Sequence, residues 1–114
     1  MKYLKLFESF EDGVKYLRLF ESFEDIEWIC RRYNIIDYTI NSDGTVDVNG
    51  TVYLKSSLLR EIPIQFGAVG SFYCNHNLLT SLEGCPKEVK GDFFCENNKL
   101  TSLEGCPEKN RWTF

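Results

Sequence analysis

Positive charge is in short supply in this chain. Lys and Arg total 13 against 17 Asp and Glu, for a formal net charge of −4. The cations are scattered, with no basic stripe, so the electrostatic footprint of a nucleic-acid-binding surface is absent. No apolar run is long enough to span a bilayer. The opening "MKYLKLFESFED" soon meets Glu and Asp and lacks the apolar core and small-residue cleavage site of a secretory signal. Histidine is nearly missing, with His76 the only one, in a loop position. There is no Gly-rich phosphate loop, and Ser56-Ser57 has no companion His and Asp. These gaps argue against an enzyme, a nucleic-acid partner, a membrane partner and a bound cofactor.

An even cysteine count is lacking too. The five thiols are Cys30, Cys74, Cys85, Cys95 and Cys106. An odd number without a secretory signal argues against a disulfide framework and for a reducing, cytoplasmic setting. A metal site needs clustered ligands at short spacings. The last four thiols instead stand 11, 10 and 11 residues apart. Cys74 and His76 are the one close pair, and Asn97 replaces His76 in the next copy. The cysteines therefore read as buried structural thiols with no metal, since a free Cys packs as a small hydrophobe. Pairing of Cys74 with Cys95, or of Cys85 with Cys106, stays geometrically open but is disfavoured by the compartment.

What the chain does have is repetition. Apolar residues at 43% and charged ones at 26% suit an ordinary soluble domain. "LTSLEGCP" occurs at 79–86 and again at 100–107. It belongs to a longer unit, "GSFYCNHNLLTSLEGCPKEVK" from Gly70 and "GDFFCENNKLTSLEGCPEKNR" from Gly91. A fainter copy, "GTVYLKSSLLREIPIQFGAV", starts at Gly50. Alternation at Phe93 and Cys95 has the period of a strand, and the Gly-Cys-Pro punctuation suits a bend and return. A unit this short cannot bury its apolar side alone, and stacking on its neighbours would do so. Trp112 and Phe114 would supply a last partial strand, with Phe114 aligned on Phe93.

The pattern "FFCENNKLTSLEGCP" resembles the leucine-rich repeat in its short bacterial form, over about 50–107. The preceding "ICRRYNIIDYTINSDGTVDVNGTVYL" is similar to the amino-terminal flank of small repeat proteins of bacteria and tailed phages. The resemblance implies that Asn77 and Asn98, with Ser57 in the faint copy, turn inward to bond backbone groups of the neighbouring loop. A buried polar side chain must be paired in any case. The opening "MKYLKLFESF" is similar to leader segments of internal phage head proteins. That resemblance implies capsid targeting and cleavage after a Leu-x-Glu tripeptide, present at Leu6-Phe7-Glu8 and Leu19-Phe20-Glu21.

The expected architecture is therefore α+β. It is a short leucine-rich-repeat-like solenoid of parallel strands over 50–114, capped by an amphipathic helix and β-meander over 22–49. Ser22 and Asp25 resemble a capping box, and Phe23, Ile26, Ile29, Cys30 and Tyr33 predict a helix at about 23–33, ending near Asn34. Asp43-Gly44 and Asn49-Gly50 read as turns flanking the strand "TVDV". Residues 1–21 form a duplicated amphipathic segment: "KYLKLFESFED" at Lys2–Asp12 returns as "KYLRLFESFED" at Lys15–Asp25, 13 residues on, so the second copy runs into the helix. Leu4, Leu6, Phe7 and Phe10 among its charges suggest a short amphipathic helix that docks on the domain or on a second subunit.

Function is expected on the strand face. If Phe72, Cys74, Phe93 and Cys95 point inward, Tyr53, Tyr73 and Phe94 point outward as an aromatic stripe. Thr51, Ser71 and Asp92 would flank it on one side, and Lys55, Asn75 and Glu96 on the other. Exposed aromatics often mark an interface, although cross-strand stacking alone also explains them. The main reading is a non-enzymatic module that binds a protein partner there. The second is a self-assembling or virion-associated protein, joined through Trp112 and Phe114 at an open edge and through Leu6, Phe7 and Phe10.

Overall fold

The computed structural model describes the backbone of residues 6–11, 14–19, 23–55, 57–107 and 111–113, and the side chains of 25–55 and 57–107. Two strands, β1 (Leu6–Glu11) and β2 (Val14–Leu19), precede a helix, α1 (Phe23–Arg32). The other strands are β3 (Tyr38–Ile40), β4 (Val46–Tyr53), β5 (Phe66–Tyr73), β6 (Glu88–Val89), β7 (Asp92–Phe94) and β8 (Arg111–Thr113).

The duplicated segment corrects the expectation of an amphipathic helix. β1 and β2 pair antiparallel, with Leu6 opposite Leu19 and Glu11 opposite Val14. Asp12-Gly13, the sequence between them, is a pair that two-residue hairpin loops favour. Leu, Phe, Tyr and Val suit a pleated ribbon as well as a helix face, so composition alone did not separate the two.

Helix α1 forms because Ile26, Ile29 and Cys30 fall on one face, and all three are fully buried. It stops at Asn34, which takes a left-handed φ of 55°. There Asn34 N–H donates to Arg31 O at 3.3 Å, and Ile35 N–H donates to Cys30 O at 2.8 Å. These are the two bonds of a Schellman stop. Ser22 of the suggested capping box lies outside the described residues.

The solenoid expectation is overturned. The molecule is a small mixed sheet with one short helix among the described residues. Strand order is β3-β4-β5-β7-β8, with β6 also on β5. The β3–β4 pair is antiparallel, and the pairs from β4 onward are parallel. The reason is the irregularity of the copies. Val46 meets Phe66, Val48 meets Val69, and Thr51 meets Ser71, so β4–β5 shifts register twice. β7 and β8 keep only three residues each.

The expected meander is likewise a single antiparallel hairpin. Asp43-Gly44 does turn: Asn41 N–H donates to Thr45 O at 2.8 Å, and Gly44 has φ 87°. Asn49-Gly50 does not, because β4 runs through it. A register shift falls there instead, and a Cβ on Gly70 would collide with the Gly50 carbonyl. The Asn-Gly pair serves a close backbone approach rather than a chain reversal. At the far edge Trp112, not Phe114, stands opposite Phe93. The register partner of Phe93 thus falls two residues earlier than the 21-residue spacing predicts.

The core lies under the sheet. Phe66, Phe72 and Phe93 are fully buried and meet in sequence, with Phe66–Phe72 centroids 5.1 Å apart and Phe72–Phe93 stacked at 5.9 Å. Leu79 and Leu82 fill the returning side, as do Ile62 and Ile64. Among the described residues no helix is long and apolar enough to cross a membrane.

Candidate functional site

The strand ladder sets which side chains face outward. Val52, Phe72 and Phe93 are register partners and fully buried, so their neighbours Tyr53, Tyr73 and Phe94 take the opposite face. These three rings meet across the sheet. Tyr53 and Tyr73 pack edge to face at 5.1 Å, and Tyr73 and Phe94 are tilted at 5.0 Å. Tyr53 is 62% exposed, while Tyr73 and Phe94 are half-buried. The row therefore opens at the Tyr53 end.

The ladder continues past the strand ends. Leu54 N–H donates to Tyr73 O at 2.7 Å, Cys74 N–H to Phe94 O at 2.9 Å, and His76 N–H to Glu96 O at 3.0 Å. Alternation thus carries on, and Asn75 and Glu96 share the face of Tyr73 and Phe94. The Asn75 amide donates to Glu96 Oε2 at 3.0 Å. Lys55, in the same row, is exposed. On the other flank Asp92 is half-buried, and its N–H donates to Ser71 Oγ at 3.0 Å.

Asn75 was expected as one exposed flank among several. It is instead only 6% exposed, and its Oδ1 has no hydrogen-bond partner. Glu96 Oε1 beside it is also buried without one. The copied alignment placed these two residues side by side, but nothing in it foretold that they would be closed in.

The asparagines of the repeat have structural partners. Asn77 Oδ1 accepts from Ser57 N–H at 2.9 Å and Leu59 N–H at 3.0 Å, and its amide donates to Leu54 O at 2.7 Å and Cys74 O at 2.9 Å. Asn98 repeats the pattern, accepting from Leu79 N–H at 3.0 Å and donating to Cys74 O and Cys95 O at 3.0 Å each. Left-handed residues precede both, His76 at φ 58° and Asn97 at φ 59°.

The thiols sit in the interior. Cys30, Cys74, Cys85 and Cys95 are buried, and all five cysteines are free. Burial pushes Cys30 up to about 12, with the Glu27 charge adding to it. Burial also pushes Cys95 to about 12, with Cys74 the next cause. Cys85 is raised well above the usual thiol value, first by a hydrogen bond with Cys74 and then by burial. Cys74 Sγ donates to Phe94 O at 3.5 Å. Protonated thiols are poor nucleophiles and poor ligands. Among the described residues no group of three or more His, Cys, Asp or Glu is arranged to hold a metal.

The residues expected to mediate self-association are not brought together by anything described. Leu6, Phe7 and Phe10 lie in β1, Trp112 in β8 is the register partner of Phe93, and Phe114 lies outside the described residues. Side-chain contacts of all five fall outside the described residues. Comparison of the chain with protein-family models, with curated proteins and with solved structures found no match in any of the three.

Proposed function

We propose that this chain is a non-enzymatic protein-binding module that engages a partner protein through the outward face of β4, β5 and β7. Tyr53, Tyr73 and Phe94 act as anchors, with Lys55, Asn75, Glu96 and Asp92 around them. The observation that carries the reading is the continuous ring row, with centroid steps of 5.1 and 5.0 Å and Tyr53 left 62% exposed. Aromatic anchors dominate interface energetics because they bury much area at little entropic cost. The free thiols suit a reducing compartment, and we place the protein in the cytoplasm of a bacterium or a phage-infected cell.

The test replaces Tyr73 and Phe94 together with Ala. Circular dichroism checks that the fold is kept, and capture of partners from a bacterial lysate is compared with the parent chain. Loss of specific partners supports the reading, and unchanged capture removes the stripe as the anchor.

A second reading, self-assembly as in a virion-associated protein, is favoured by the far edge. β8 is the last strand of the sheet, and Leu103 is 48% exposed although its counterpart Leu82, 21 residues earlier, is 1% exposed. Mass by light scattering that rises with concentration supports this reading, and a constant monomer mass sinks it.

A further inference from the structure

We propose that the strand face takes an arginine side chain of its protein partner, seated on Asn75 and Glu96 at the end of the aromatic row. The inference rests on the strand-face reading and names what that face receives.

Two orphaned oxygens carry it. Asn75 is 6% exposed, and its amide nitrogen donates to Glu96 Oε2 at 3.0 Å. Asn75 Oδ1 and Glu96 Oε1 remain buried with no hydrogen-bond partner. An unpaired buried acceptor costs free energy, and an unpaired carboxylate oxygen costs more. Both free atoms accept, so a ligand must bring donors. A carbonyl, a carboxylate or a phosphate has none to bring.

Charge and shape narrow the ligand further. The seat holds one carboxylate and one neutral amide, so a single cation balances it. Tyr73 precedes Asn75 by two residues and Phe94 precedes Glu96 by two, on the same face. Ring faces attract cations, arginine more often than lysine. A guanidinium is flat, stays charged and presents several N–H groups in one plane, so it reaches two acceptors while lying against a ring. An ammonium is a compact point charge without that plane. Lys55 holds the equivalent position in the first copy and is exposed. The row is therefore positive at that copy and negative at Glu96, the end that draws the guanidinium in. Both oxygens are closed over in the unbound chain, so seating the guanidinium requires the half-buried Glu96 side chain to turn aside and uncover them.

The experiment uses the full chain, labelled with 15N. It is titrated with the capped peptide acetyl-Gly-Arg-Gly-amide and with the same peptide carrying citrulline or lysine in place of arginine. The arginine peptide is expected to shift the Asn75 side-chain amide and the Phe94 backbone amide, with the other two at least roughly tenfold weaker. In Glu96→Gln an amide nitrogen can stand where Oε1 stood and donate to Asn75 Oδ1. That variant should melt no lower than the parent while losing the arginine response. An equal response to citrulline or lysine, no Asn75 shift at millimolar peptide, or a lower melting temperature for Glu96→Gln overturns the inference. Partner capture separates it from the reading beneath it. If Tyr73→Ala with Phe94→Ala loses the partner and Glu96→Gln keeps it, the strand face stands and the arginine seat falls. If both keep the partner, both fall.

Discussion

At the scale of single residues, Asn77 does more than any other described polar side chain to join neighbouring loops. It bonds backbone atoms of Leu54, Ser57, Leu59 and Cys74 between 2.7 and 3.0 Å, and Asn75 O at 3.3 Å. Removing it strands buried donors and acceptors, each worth about 1–3 kcal/mol when left unpaired. Asn77→Ala should therefore lower unfolding free energy by about 3 kcal/mol, read from urea denaturation. Asn98→Ala should cost less, because Asn98 is only half-buried. The buried thiols set a pH limit. Cys30 is raised from 9.0 to about 12, so between those values the native state keeps a proton that the unfolded chain releases. Stability from this thiol is full below pH 9 and is lost as pH rises toward 12, by about 2–3 kcal/mol at pH 11. Cys30→Val should flatten that alkaline fall in urea midpoints measured from pH 8 to 11.

At the scale of elements, the "LEGCP" turn recurs with the same backbone and different surroundings. Gly84 and Gly105 have φ of 94° and 93°, and Cys85 N–H and Cys106 N–H bond back to Leu82 O and Leu103 O at 3.0 and 3.2 Å. Only glycine adopts that conformation without strain. Any side chain costs about 1–2 kcal/mol at either turn. At Gly84 a Cβ would also sit 2.9 Å from Ile62 Cβ and 3.0 Å from Ile64 O, whereas at Gly105 the nearest atom is Leu82 O at 3.2 Å. Gly84→Ala should thus destabilise by about 1 kcal/mol more than Gly105→Ala, read as the difference in melting temperature. Elements of this kind were legible in the sequence. The turns at Gly44, Gly84 and Gly105, the Asn ladder, α1 with its Asn34 stop, and the inward and outward faces of β5 and β7 all rest on local periodicity and punctuation, whereas Asn49-Gly50 carried the same punctuation without a turn. The register shifts were not legible. They come from where Gly50 and Gly70 approach each other and where the Asp47 carboxylate accepts the Ala68 N–H at 2.9 Å, which are contacts between distant segments. The same holds for Asn75 and Glu96, whose closure depends on packing rather than pattern.

At the scale of the whole molecule, the two ends of the sheet are finished differently. At the first end α1 lays Ile26, Ile29 and Cys30 into the core, and Trp28, Tyr33, Tyr38 and Ile40 pack against it. At the last end β8 closes the strand order, and the third copy's turn is left open from Thr101 to Gly105. Within it Leu103 occupies the place that Leu82 fills one copy earlier, yet it is 48% exposed against 1%. Among the described residues the third copy's turn therefore differs from the second in leaving this apolar position uncovered. β8 is the last strand in the described order, and an edge strand is where pairing with a second copy would occur. Covering the exposed half of a leucine is worth about 1 kcal/mol, or roughly fivefold in a dissociation constant. If the edge is a contact between copies, Leu103→Lys should weaken association by at least that factor, because a charge then replaces an apolar group at the joint. Sedimentation equilibrium across a concentration series reads this directly. A parent chain that stays monomeric throughout, or a variant that associates as well as the parent, would show that the uncovered turn faces only water.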